Sequence, residues 1–234
     1  MWRLISGLVG SLIVADDNLS EAQRLHQFNF CPAQYMHSSW LRESQPWLTK
    51  ITGWRTNALV NQWCLENWTL SPVAEHHFHH PYSSLVLLPC KELNKLLLTV
   101  GGVMYSQAMR QVVLKEPKQC LNNVFGLEEV KFLTQQGPML IAQWPNDWQR
   151  SLPNSFDEQS LAEEALFIGY LWFKSLLSSL PSSLLKRCQF KLDIKFAMAE
   201  ENADWLNTEN HDLAYRLIKK IAKQVIPQCF HLLK

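Results

Sequence analysis

Between Ala165 and Leu180, in the run ALFIGYLWFKSLLSSL, the only charge is Lys174. A helix that is apolar on most sides cannot lie on a surface; it belongs at the centre of a bundle or partly under a partner. It is too short to span a bilayer, which takes about 20 apolar residues. Ser155 with Glu158 forms a capping-box pattern at its start, Ser160 with Glu163 repeats it, and Pro181 ends it. The rest of the chain must supply walls for this helix, and most of it reads as further helix.

The last segment is the clearest of these. Leu213, Ala214, Leu217, Ile218, Ile221, Ala222 and Val225 form one stripe, with Arg216, Lys219, Lys220 and Lys223 opposite. Asn207 or Thr208 can cap it and Pro227 stops it. From Lys91 to Leu114 the set Leu93, Leu97, Val100, Met104, Ala108 and Val112 keeps a helical period. Gly101 and Gly102 interrupt it at about 1 kcal/mol each against Ala, implying close approach of another helix or a break in two. Shorter helices are expected over Thr56–Trp68, Lys118–Phe125 and Leu127–Gln136, with Gly126 and Gly137 as stops.

One segment departs from this rule. Phe190-Lys-Leu-Asp-Ile-Lys-Phe196 alternates apolar and charged residues, the pattern of a half-buried strand. A strand needs a partner for its backbone groups. Ser84–Leu88 and Met139–Gln143 are the candidates. The expected fold is therefore mainly α, one helix-rich domain over 19–234 with a small β-sheet near 190–196. The stretch 1–18 is read as an N-terminal extension or a start upstream of the domain. Its apolar run Met1–Ala15 resembles a weak signal peptide, although Ile13 fits the small-residue cleavage pattern poorly.

Charge narrows the ligand. Lys plus Arg number 22 and Asp plus Glu 21, so no basic field collects phosphates and no polybasic block reads anionic lipid. This argues against nucleic acid and against direct membrane insertion. Charged residues are only 18% of the chain, and ten Trp leave apolar anchors available for a protein partner or for the core. Cys31, Cys64, Cys90, Cys120, Cys188 and Cys229 stand far apart without a CxxC pair, and read as small buried hydrophobes of a reducing compartment.

Site chemistry is sparse. His76, His77, His79 and His80, with Glu75, form a cluster that could hold zinc or nickel. No HExxH accompanies it, and Pro72 and Pro81 bracket it as a loop. A metal-binding protein or small metalloenzyme built on this cluster is the alternative reading; the favoured one has no metal, no cofactor and no enzymatic activity. No GxSxG elbow or phosphate loop occurs, and the adjacent pairs Glu128-Glu129, Glu163-Glu164 and Glu200-Glu201 point in different directions on a helix. Binding has better material. Trp144, Trp148 and Arg150 lie in the proline-bounded stretch WPNDWQRSLP, residue types that dominate interaction hot spots. Lys219, Lys220 and Lys223 offer a second face.

Several motifs in order go beyond pattern: Phe30-Cys-Pro-Ala-Gln-Tyr-Met-His37; Leu88-Pro89, then Gly102-Val103, Ala108, Arg110 and Val113-Leu114; Trp144-Pro145, Trp148-Gln-Arg150 and Leu152-Pro153; and the ending from Lys223 through Pro227 to Lys234. Together, over about Leu25–Lys234, they resemble the SctK (YscK-type) family of sorting-platform adaptors in bacterial type III secretion systems. The resemblance implies a helical, non-enzymatic protein at the cytoplasmic face of the inner membrane. Its implied partners are the cytoplasmic domain of the inner-membrane ring protein SctD and the pod protein SctQ, and through the pod the stator SctL and ATPase SctN. It assigns no catalytic residue.

Overall fold

The computed structural model describes residues 20–80, 82–145, 147–153, 156–178, 180–199 and 205–233. Twelve α-helices are found among them: α1 (Glu21–Phe30), α2 (Pro32–Tyr35), α3 (Ser38–Ser44), α4 (Ala58–Asn67), α5 (Cys90–Met104), α6 (Ser106–Arg110), α7 (Lys115–Phe125), α8 (Leu127–Gln135), α9 (Glu158–Leu177), α10 (Ser182–Gln189), α11 (Ile194–Ala197) and α12 (His211–Val225). Short 3-10 turns, including Ser83–Leu87 and Gly137–Met139, join several of them. These helices form two compact units. The first holds the described residues through Cys90 and those from 180 to 199; the second holds Lys91–Ser178 and those from 205 to 233. The N-terminal stretch 1–18 lies outside the described residues.

In the first unit, Cys31 ends α1 and opens α2, and Pro32 follows at the first helical position, where its missing N–H costs nothing. The FCPA motif is thus a helix-to-helix corner. It sets Ala33 and Met36 into a core with Trp40, Leu41, Val60 and Cys64, closed by Phe190 from the end of α10. Trp40 meets Phe190 edge-on at 4.5 Å, and its indole N–H donates to the Leu192 carbonyl at 3.0 Å.

Two buried cations tie this unit together. Arg187 is fully buried. Its guanidinium donates to the carbonyls of Phe28 (2.7 Å), Leu70 (3.0 Å) and Ser71 (3.1 Å) and to the Tyr35 hydroxyl (3.2 Å). Lys191, 4% exposed, donates to the carbonyls of Val86 and Leu88. Its burial lowers the ammonium pKa, and burial likewise pushes the neighbouring Cys188 thiol up to about 12. Cys188 therefore sits here as a neutral thiol.

The predicted strand at 190–196 is corrected by these contacts. No strand occurs among the described residues; Phe190–Leu192 is a turn and Ile194–Ala197 is α11. Lys191 sits between Phe190 and Leu192 yet is buried with both, so the alternation does not sort residues to two faces. The intended partners are also not strands: Ser83–Leu87 is a 3-10 turn, and Met139 ends another.

The second unit is built around α9, as its apolar sequence requires. Asp157 caps it, accepting from the N–H groups of Gln159 and Ser160 at 2.9 Å each; Ser155 of the expected capping box lies outside the described residues. Ala165, Tyr170, Trp172, Phe173, Leu176 and Leu177 are buried. α5 runs unbroken through Gly101 and Gly102 and ends at Met104. The glycines serve close approach: a Cβ on Gly101 would lie 1.8 Å from the Ala165 carbonyl oxygen, and one on Gly169 would lie 2.0 Å from that of Leu97. The break comes at Tyr105, whose hydroxyl donates to Glu164 at 2.6 Å. α12 buries its stripe from Ala214 to Val225 as expected. No described helix is long and apolar enough to cross a membrane.

Two stability outcomes follow from these contacts. Gly169→Ala drives a methyl into backbone that no rotamer change can relieve, so urea titration should show a loss of about 3 kcal/mol or more. A loss under about 1 kcal/mol would mean that α5 and α9 do not cross there. Arg187→Met keeps much of the volume but strands buried acceptors, at about 1–3 kcal/mol each. The chain should melt well below wild type, and Arg187→Lys should recover only part, because one ammonium cannot reproduce the fork.

Candidate protein-binding surface

Trp148 and Arg150 fix their loop through several contacts. Asp147 adopts φ +70°, a left-handed turn that Asp tolerates better than most residues. Next to it, Trp148 is fully buried, edge-on to Trp172 at 4.5 Å, and its indole N–H donates to the Trp205 carbonyl at 3.1 Å. The Arg150 N–H donates to the Met104 carbonyl at 2.8 Å, satisfying the end of α5. The Arg150 side chain is exposed and lies 5.5 Å from the Trp205 ring. Trp148 thus anchors the loop in the core and presents no surface, whereas half-buried Trp144 and Arg150 remain at the exterior.

Trp144 and the C-terminal helix converge on one short turn. The Trp144 indole N–H donates to the Pro138 carbonyl at 2.8 Å. The Lys220 ammonium reaches the Leu140 carbonyl at 2.7 Å. Between them stands Met139, 74% exposed. The two faces expected separately from the sequence therefore share the 137–140 turn, with an apolar tip flanked by an aromatic ring and a cation. Lys219 lies half-buried with its ammonium 5.5 Å from the Tyr215 ring, and Lys223 is exposed in the last turn of α12. Nothing in the sequence marks Met139 as a contact, because an exposed methionine after Gly-Pro carries no periodic signal.

The histidine cluster lies on a short turn. Glu75–His79 is a 3-10 turn, the rings of His76 and His77 lie 4.1 Å apart, and His80 Nδ1 accepts the Tyr82 N–H at 3.3 Å. Among the described residues no three His, Cys, Asp or Glu side chains are placed to hold one ion.

The family described as YOP proteins translocation protein K (YscK) matches residues 23–234. The chain belongs to the YscK family. Proteins named Yop proteins translocation protein K from Yersinia enterocolitica and from Yersinia pseudotuberculosis serotype I (strain IP32953) are each 31% identical to it over 214 residues, covering 89% of this chain and 96% of theirs. The solved cytoplasmic domain of PscK, a type III secretion sorting platform protein of P. aeruginosa, matches with a TM-score of 0.64 and 26% identity, over 88% of this chain and 97% of that one. The YscK-family fold is thus the helical one described above.

The burial of Trp148 makes a clear distinction from Trp144. Trp148→Ala should cost about 3–5 kcal/mol of stability, read as a lowered urea midpoint. Trp144→Ala, at a half-buried position with one indole hydrogen bond, should cost about 1 kcal/mol. Equal losses would contradict the placement of the two rings.

Proposed function

We propose that this YscK-family protein is a non-enzymatic adaptor of a type III secretion sorting platform, and that the 137–140 turn with Trp144, Lys220 and their neighbours is one of its protein-binding faces. The observation that supports this reading most is the convergence on that turn: Met139 exposed, Trp144 on one side, Lys220 on the other. An apolar tip with an aromatic flank and a peripheral cation has the composition of a hot spot with a polar rim. Arg150, Lys219 and Lys223 extend the cationic side of the same unit. The adaptor joins the cytoplasmic domain of the ring protein SctD to the pod protein SctQ, and through the pod reaches the stator SctL and ATPase SctN, at the cytoplasmic face of the inner membrane. The family relationship and the PscK likeness support this assignment of partners.

The test is co-purification of the full chain with the cytoplasmic domain of SctD and, separately, with SctQ. Wild type should retain both. Met139→Asp combined with Lys220→Glu should weaken one of them by at least tenfold, about 1.4 kcal/mol, while melting falls by no more than about 4 °C from the lost Lys220–Leu140 hydrogen bond. Retention of neither protein by wild type would overturn the adaptor reading.

A further inference from the structure

α6, α7 and α8 enclose a second feature, a groove of about 530 Å³. Its lining is mixed: Met109 and Leu121 are buried at its floor, Val112 and Val130 wall it, and Asn122, Thr134 and Gln135 supply polar groups between them. Arg110 and Lys118 stand exposed on its rim, and the lining contains no carboxylate. The acids of α8 are already engaged, Glu128 with Lys131 at 2.7 Å and Glu129 with Lys95 at 2.9 Å. Glu116 shares α7 with Lys118, but two residues apart on a helix they face different sides. Neither Arg110 nor Lys118 enters an ion pair among the described residues. The charge left over at the groove is therefore positive.

The apolar surface continues past the rim. Val113 and Leu114, in the link from α6 to α7, are 79% and 72% exposed. Two consecutive large aliphatic side chains in water beside a groove with Met109, Leu121 and Val130 at its base mark a surface that awaits cover. We propose that this groove docks an acidic amphipathic helix of a partner protein. Its apolar side chains seat on Met109, Leu121 and Val130, and its carboxylates pair with Arg110 and Lys118. Charge complementarity selects the acidic partner. A helix suits this surface because it lays apolar side chains along the groove while its flank carries carboxylates to the cationic rim, the helix-in-groove mode. Two cations fall short of the four to eight that recognise anionic lipid. This assignment rests on the adaptor reading and gives that adaptor a second binding face with a stated chemistry.

The test uses the full chain and, as probes, the SctD cytoplasmic domain and SctQ, titrated at low and high salt. For one of them, the double variant Arg110→Glu with Lys118→Glu should bind about tenfold more weakly and lose most of the salt dependence. Val113→Asp with Leu114→Asp should weaken the same partner. All four positions are exposed, so melting should stay within about 2 °C of wild type. Hydrogen exchange on the wild-type complex supplies a readout free of mutation: residues 109–135 should gain protection. If wild type binds but the variants match it and 109–135 gain no protection, the groove assignment falls and the adaptor reading stands. If wild type binds neither probe, both fall. Capture of phosphatidylserine vesicles through Arg110 and Lys118, with protein affinity unchanged in the variant, would also overturn it.

Discussion

A guanidinium without a carboxylate organises the first unit. Arg187 reaches the last turn of α1 through Phe28, the loop after α4 through Leu70 and Ser71, and the end of α2 through the Tyr35 hydroxyl. Each contact satisfies a group that a short helix or a loop leaves open. Short helices such as α2 and α3 have little stability of their own. The end of α2 is closed by a side chain from further along the chain, Arg55 on the Ala33 and Met36 carbonyls, as Arg187 closes the end of α1 at Phe28. Lys191 repeats the device one step on, at Val86 and Leu88. A charge buried this way draws on carbonyl dipoles, and helix C-terminal carbonyls are the negative end of the helix.

That device explains which features could be read in advance. α12 was legible because its apolar stripe has a period and Pro227 ends it, and α9 because it is apolar on most sides and stops at Pro181, although its cap is Asp157, a residue outside the capping-box pattern. The Gly101 signal was also legible, since glycine in a good helix needs a reason, and the reason is the carbonyl of Ala165. The segment 190–196 misled because a lysine counted as solvent-facing is buried against backbone carbonyls, and carbonyls leave no mark in a sequence. Arg187 escaped notice for the same cause: its partners are main-chain atoms of residues far from it along the chain.

The candidate surface shows the same limit. Trp144 and Trp148 look equivalent in the sequence, separated by three residues of one proline-bounded loop. A left-handed Asp147 between them sends one ring into the Trp172 cluster and leaves the other beside Pro138. Composition identified the loop, but backbone geometry decided which ring is structural. The lysines of α12 were visible as a charged face, yet that Lys220 meets the 137–140 turn depends on how α12 packs, which no local pattern encodes.

The first unit is discontinuous: its last pieces, α10 and α11, follow the whole of α5–α9 in the chain. During synthesis the segment through Cys90 emerges with neither Phe190 to fill its core nor Arg187 to close its helix ends. At roughly 5–20 residues per second, that segment waits several seconds on the ribosome before its own remainder arrives. Over that interval the core of Ala33, Met36, Trp40 and Leu41 lacks the Phe190 ring that closes it, and the carbonyls of Phe28, Leu70 and Ser71 lack the Arg187 guanidinium. The order of the chain thus couples completion of the first unit to the emergence of the helices between its two pieces.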